Sequence, residues 1–220
     1  MKKIIVLTLF IIYGSMAWAA EKSDLDLNSL LQQMELQEKR IKSLSLSFSQ
    51  ELLITSTEES QKIAGTALFK KPDNFQIIHT QPREQWTICN GKNIWIWWPQ
   101  EKKVLKQDFA AWEKSENFPV GLFPIGVPVK KIKQAYQISL VNHLDNTYQL
   151  DFSPRTENSY TIKTWISGIN FLPKKLELST AGLTITTVIE NLEMNPRAPD
   201  NLFSFQIPSG AEIIEGGVQK

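Results

Sequence analysis

Residues Gly65 to Pro99 read GTALFKKPDNFQIIHTQPREQWTICNGKNIWIWWP, and this stretch decides the fold. Turn-forming residues cluster at Lys71-Pro72-Asp73-Asn74, at Gln81-Pro82-Arg83 and at Asn90-Gly91. Between them Phe69, Phe75, Ile77, Trp86, Ile88, Trp95 and Trp97 fall mostly two residues apart. That is the period of a strand, which turns successive side chains to opposite faces. Asn90-Gly91 separates two aromatic-rich runs and predicts a hairpin, because both residues tolerate the positive φ of a two-residue turn. Four of the seven tryptophans lie here. A sheet this aromatic needs something large and apolar against it.

The flanking chain extends the pattern on both sides. Asp24 or Asp26 is placed to cap a helix running to about Arg40, with Leu27, Leu30, Leu31, Met34 and Ile41 along one face. That stripe has to bury against a sheet. Leu44, Leu46 and Phe48 then alternate with serines, as in a half-buried strand. Beyond Pro99, Val104 to Lys106 reads as a short strand and Phe109 to Glu116 as a brief helix carrying Phe109 and Trp112.

The next segment, NFPVGLFPIGVPV (residues 117–129), has prolines at 119, 124 and 128 that deny it a ladder or a long helix. It either packs over the core as a lid or touches a partner. Strands return at Tyr136 to Val141, Tyr148 to Phe152, Tyr160 to Ile166, Lys174 to Ser179 and Leu183 to Leu192. The tail predicts further strands through Phe203, Phe205 and Ile207 and at Glu212 to Ile214. Ten or eleven short strands without crossover helices imply antiparallel neighbours. With two or three helices on one face, such a sheet curls and makes a cavity.

Length and composition exclude several functions. Residues 1–19 have the form of a cleaved signal peptide. Lys2 and Lys3 precede the apolar run Ile4 to Tyr13, and Ala17-Trp18-Ala19 is a small-x-small cleavage site. A run of ten falls well short of the roughly 20 residues of a membrane span. Residues 20–220 are then expected to form one exported, soluble domain, with no cysteine directly following the apolar run to carry a lipid anchor.

The chain has 24 Lys and Arg against 23 Asp and Glu, and losing Lys2 and Lys3 moves the formal charge from +1 to −1. No basic, aromatic-interleaved groove for nucleic acid is visible. Cys89 is the only cysteine, so an internal disulfide is impossible, and its place in a strand suits a small buried hydrophobe. His79 and His143 lie in no metal-ligand spacing, and no phosphate-cradling glycine loop is present. An enzyme, a metal site and a cofactor are therefore not expected.

Ordered blocks along the chain carry a family resemblance. They are Leu44-x-x-x-Phe48-x-Gln50, then Gly65-x-x-Leu68-Phe69-Lys70-Lys71-Pro72-x-x-Phe75, and Pro82. Asn90-Gly91-Lys92-x-Ile94-Trp95-Ile96-Trp97-x-Pro99 and Phe203-x-Phe205-x-x-Pro208-x-Gly210 follow. The chain resembles the periplasmic outer-membrane lipoprotein carriers, the LolA family of Gram-negative bacteria, over nearly its whole mature length.

The resemblance implies an α+β fold, mainly β: a curled, unclosed antiparallel half-barrel of about eleven strands, with helices forming a lid over an apolar cavity. It implies a monomeric carrier of acylated lipoproteins. The carrier receives them from an inner-membrane lipoprotein-releasing transporter and hands them to an outer-membrane receptor. A lipid- or lipoprotein-binding sensor on the same half-barrel, or a paralogous carrier with another lipid cargo, is the alternative.

Leu46, Phe48, Phe69, Phe75, Ile77, Trp86, Trp95 and Trp97 are the expected cargo-binding residues, each of which could equally fill an ordinary core. Phe75 occupies the aromatic position that the family associates with release. Lys71 stands where the family has a lid-holding arginine, and keeps the charge without the planar five-donor fork. Trp98 and the proline-studded middle depart from the commoner pattern.

Overall fold

The computed structural model describes residues 25–114, 128–156 and 160–216. The leader, the Ala20 start, the last two residues of the helix expected to Glu116 and residues 117–127 of the proline-rich stretch lie outside the described residues. In chain order the elements are α1 (Leu27–Arg40), β1 (Ser43–Ile54), β2 (Ser60–Lys70), β3 (Asn74–Gln81), β4 (Gln85–Asn90), β5 (Asn93–Trp98) and β6 (Lys103–Asp108). Then follow α2 (Phe109–Lys114), α3 (Val129–Ala135), β7 (Tyr136–Leu144), β8 (Thr147–Pro154), β9 (Tyr160–Ser167), β10 (Pro173–Thr180), β11 (Leu183–Met194) and β12 (Glu212–Glu215).

The twelve strands form one unclosed sheet in the order β12-β6-β5-β4-β3-β2-β1-β11-β10-β9-β8-β7. Every neighbouring pair is antiparallel except β12, the strand expected at Glu212 to Ile214, which lies parallel to β6. Local chemistry accounts for the boundaries. The Ser29 amide donates to the Asp26 carboxylate at 2.7 Å, capping α1.

At the β4–β5 hairpin only Gly91 has positive φ, +79°. Asn90 contributes through its side chain instead, accepting from the amides of Lys92 and Asn93 at 3.0 and 2.9 Å. Gly65 solves a steric problem. A Cβ there would collide with the Ile78 carbonyl and come within 2.8 Å of the Phe48 ring.

The register divides the sheet into two apolar faces. Leu44, Leu46, Phe48, Ala67, Phe75, Ile77, Cys89, Ile94 and Leu176 share the helix-covered face, with Trp112 of α2 packed on them. Farther along that face, Tyr148, Leu150, Phe152, Ile162 and Ile166 meet Leu30, Leu31 and Met34 of α1 and Val129 and Ile132 of α3. On the other face Ile88, Trp95, Trp97 and Val104 form a separate cluster with Trp86, Phe205 and Ala211.

One expected strand is absent. Asp200–Phe203 is a 3-10 turn, and Ser204 to Pro208 has no ladder partner. The segment crosses the outer face between Pro199 and Pro208. The Phe205 ring packs there, Phe203 is fully buried in the turn against β3 and β4, and the Gln76 side-chain amide donates to the Leu202 carbonyl at 3.1 Å. Alternating aromatics here serve docking across strands, not pairing alongside one.

Candidate functional site

A cavity of about 510 Å³ opens at the end of the sheet where β1 begins, β2 ends and β3 begins. Leu44, Phe69 and Phe75 supply its sheet wall, and Phe109 and Trp112 of α2 stand beside them. Met34 of α1, Ile41 just beyond it, and Val129 and Ile132 of α3 form the helical wall. The β9–β10 connection closes a third side with Phe171, Leu172 and Pro173. The volume falls in the range of about 300–1,000 Å³ typical of small-molecule sites.

Phe75 is the hub of the aromatic wall. Its ring centroid lies 6.4 Å from Phe69, 6.3 Å from Phe109 and 6.0 Å from Trp112. Phe109 and Trp112 stack on each other at 6.1 Å. Offset and tilted rings hold one another in defined orientations while leaving an apolar, polarisable surface toward the cavity.

The charged residues of the lining are Glu38, Lys42, Lys70, Lys71, Asp73 and Lys131. The Lys71 ammonium donates to the Glu38 carbonyl at 2.6 Å and to the Glu38 carboxylate, fastening the last turn of α1 to the tip of β2. The Lys71 backbone amide also donates to the Lys42 carbonyl at 2.9 Å. A cation at a helix C-terminus meets the negative end of the helix dipole as well as the carboxylate. On the opposite side of the strand, Lys70 reaches the Ala198 carbonyl at 2.9 Å and the Asp200 carboxylate.

The reactive side chains are set apart from any catalytic arrangement. No group of three or more His, Cys, Asp or Glu side chains able to hold a metal occurs among the described residues. Burial pushes the Cys89 thiol up to about 11, and its Sγ donates to the Asp73 carbonyl at 3.3 Å. Burial likewise lowers the His79 pKa below the ordinary histidine value; the ring packs edge-on to Phe48 at 5.6 Å. His143 stacks on Tyr148 at 4.1 Å.

Of the sequence-predicted cargo residues, Phe69 and Phe75 line the cavity, with Lys71 at its mouth. Leu46, Phe48 and Ile77 belong to the buried layer continuous with that wall, without lining the opening. Trp86, Trp95 and Trp97 are not brought to the cavity; they lie on the outer face beneath the C-terminal segment. The rings of Trp95 and Trp97 are each 6.3 Å from Phe205.

Sequence reasoning did not place Phe109, Trp112, Val129, Ile132, Phe171 and Leu172 in the site. The three-residue spacing of Phe109 and Trp112 signals one helix face. Phe171-Leu172-Pro173 carries no signal beyond apolar residues where a turn would be polar.

The family model for "Outer membrane lipoprotein carrier protein LolA" matches residues 39–206. An outer-membrane lipoprotein carrier protein of Pseudomonas fluorescens is 25% identical over 199 residues, covering 89% of this chain and 91% of its own. One from Pasteurella multocida is 25% identical over 213 residues, covering 97% and 95%. Among solved structures, an uncharacterized conserved protein from Thermus thermophilus superposes with a TM-score of 0.55 at 8% identity. That match covers 86% of this chain and 98% of the other, and it is a likeness of fold alone.

Proposed function

The chain belongs to the LolA family of outer membrane lipoprotein carrier proteins, non-enzymatic lipid- and lipoprotein-handling carriers of the periplasm, and from that premise we propose its cargo and route. It holds the acyl chains of lipoproteins in the cavity beneath α1 and ferries them from the inner to the outer membrane. It takes them from an inner-membrane lipoprotein-releasing transporter and delivers them to an outer-membrane receptor. The mature protein starts near Ala20, forms one domain and works as a monomer.

The observation that carries this reading is the apolar cavity of about 510 Å³ under a helix whose last turn Lys71 fastens to the tip of β2. An acyl chain of sixteen carbons hides roughly 13 kcal/mol of hydrophobic free energy at about 0.8 kcal/mol per methylene, too much to cross water uncovered. Phe69, Phe75, Phe109 and Trp112 offer it an apolar wall. Because the cargo needs a way in, α1 must move from its closed position, and the Lys71–Glu38 contact is among those that movement has to break.

The direct test is transfer of a labelled lipoprotein from inner-membrane vesicles into the soluble fraction, beside the same lipoprotein without its acyl chains. We expect transfer of the acylated form only. Equal behaviour of the two forms refutes the acyl-carrier reading. Extraction of phospholipid from vesicles lacking any lipoprotein would instead identify a carrier with another lipid cargo. Sequencing the N-terminus of the exported protein checks the Ala20 start; retention of Lys2 to Tyr13 on a membrane-bound product refutes it.

A further inference from the structure

We infer that Asn195 is a positioning residue for the lid, a clamp across the hinge on which α1 turns; this rests on the carrier reading above, in which α1 must open. The hinge is short. α1 ends at Arg40 and β1 begins at Ser43, so only Ile41 and Lys42 absorb any rotation of the helix against the sheet. Asn195, just past the end of β11, holds both sides of that link. Its Oδ1 accepts from the Lys42 amide at 2.7 Å and from the Ser43 amide at 3.4 Å. Its Nδ2 donates to the Arg40 carbonyl at 3.1 Å, and its backbone amide donates to the Ser43 carbonyl at 2.8 Å.

The arrangement requires this residue type. The backbone of Asn195 has φ +58°, in the left-handed region where asparagine is among the most tolerated non-glycine residues. The side chain must accept on the strand side and donate on the helix side. A primary amide does both at once from two separate atoms, whereas a carboxylate has no donor and a serine hydroxyl is a single, shorter-reaching atom. The preceding Met194 adds a contact to the same helix, its sulfur accepting from the Gln37 side-chain amide.

The holds of Lys71 and Asn195 on α1 therefore differ in kind. Lys71 ties the helix end to the tip of β2 through Glu38, while Asn195 ties it to the end of β11 through Arg40. When α1 swings, the bond to Arg40 has to break, whereas the bonds to Lys42 and Ser43 can persist and keep the pivot in place. Asn195 thus sets where the lid bends, as well as how readily it opens.

Two substitutions separate these roles. Asn195→Asp keeps the acceptor for Lys42 and Ser43 but loses the donor to Arg40. Asn195→Gly keeps the positive φ and loses both. The experiment measures hydrogen exchange of the cargo-free, full-length mature protein, resolved to the amides of α1 and of Lys42. Uptake of a fluorescent sixteen-carbon fatty acid is followed in parallel.

In Asn195→Asp we expect the last-turn amides of α1 to exchange about five-fold faster, the scale of one lost hydrogen bond, with Lys42 still protected. In Asn195→Gly both sets should exchange faster. Fatty-acid entry should quicken by a similar factor in Asn195→Asp. Unchanged α1 exchange in a folded Asn195→Asp protein overturns the inference, as does a loss of Lys42 protection equal in the two variants. Faster α1 exchange without any fatty-acid uptake, in the wild type or the variants, leaves the clamp standing and counts against the carrier reading instead.

Discussion

Replacing Phe69 and, separately, Trp95 with leucine distinguishes a cavity wall from an ordinary core. The two residues come from the same aromatic stretch, yet they lie on opposite faces of the sheet. Trp95 is 9% exposed and packs with Ile88, Val104 and Phe205. A buried tryptophan hides roughly 150–250 Å² and leucine restores about half of it. The loss of some 100 Å² at about 25 cal/mol per Å² then costs about 2–3 kcal/mol. In a domain near two hundred residues long, that lowers the melting temperature by about 5–10 °C.

Phe69 is half-buried, and its ring centroid lies 6.4 Å from that of Phe75. Its replacement in the empty protein should cost only about 1 kcal/mol. In the loaded protein, however, the cargo loses a comparable amount of contact, so acyl-chain affinity should weaken about five-fold. Melting followed by circular dichroism gives the first quantity. Titration with a fluorescent fatty acid, corrected for the folded fraction, gives the second. The reasoning fails if a folded Trp95→Leu protein loses affinity as much as Phe69→Leu. It also fails if Phe69→Leu melts lower but binds as before.

Lys71→Leu should leave the melting temperature within a few degrees, because its ion pair with Glu38 is partly exposed and such pairs contribute about 0–1 kcal/mol. It should nevertheless shift the carrier toward open or cargo-loaded states. Unchanged lipoprotein release from Lys71→Leu, at unchanged stability, would make the residue a turn lysine and nothing more. Cys89, buried and with its thiol pushed up to about 11, should label with a polar thiol reagent at pH 8 only as fast as the protein unfolds; rapid labelling refutes that placement. His79 has a folded pKa below its unfolded value of about 6.5, so the unfolded chain binds the extra proton first. Its contribution to stability is complete above pH 6.5 and is lost as pH falls from there through the folded pKa. Urea melts from pH 7.5 to 5 should show that loss, and His79→Gln should flatten it; an unchanged slope in the variant refutes the assignment.

Periodicity made the sheet and α1 readable because both are local patterns. Leu44, Leu46 and Phe48 alternate within one strand, and the Leu30, Leu31 and Met34 stripe returns every helical turn, so each announces a buried face from its own segment. Which face becomes the cavity is not a local property. Phe75 and Trp95 are both aromatic residues in strands of the same hairpin-rich run, and alternation puts them on opposite sides without saying which side the helices cover. That choice belongs to the C-terminal segment, whose Phe205 reaches Trp95 and Trp97 across more than a hundred residues of chain. A strand-like alternation of Phe203, Phe205 and Ile207 concealed it, since rings spaced for docking across a sheet look like rings spaced for pairing within one. The Phe171–Pro173 wall of the cavity was hidden for a related reason: it lies in a connection, where no period operates.

The lysine at position 71 shows how the acceptor set decides what a side chain must be. Arginine earns its advantage when two acceptors lie in one plane at fork spacing. Here both side-chain acceptors belong to one residue, the carbonyl and the carboxylate of Glu38, and they converge on a single ammonium. Three rotatable donors on a compact charge meet that geometry, and the dipole of α1 adds to it whatever the shape of the cation. Alternation at the end of β2 then gives the neighbouring lysine the complementary task. Lys70 faces the outer side and secures Ala198 and Asp200, where the C-terminal segment starts across the tryptophans. The tip of one hairpin thus fastens a helix over the cavity and a segment over the opposite face. On the carrier reading proposed above, α1 opens without exposing the outer cluster, because the two neighbouring lysines share no acceptor.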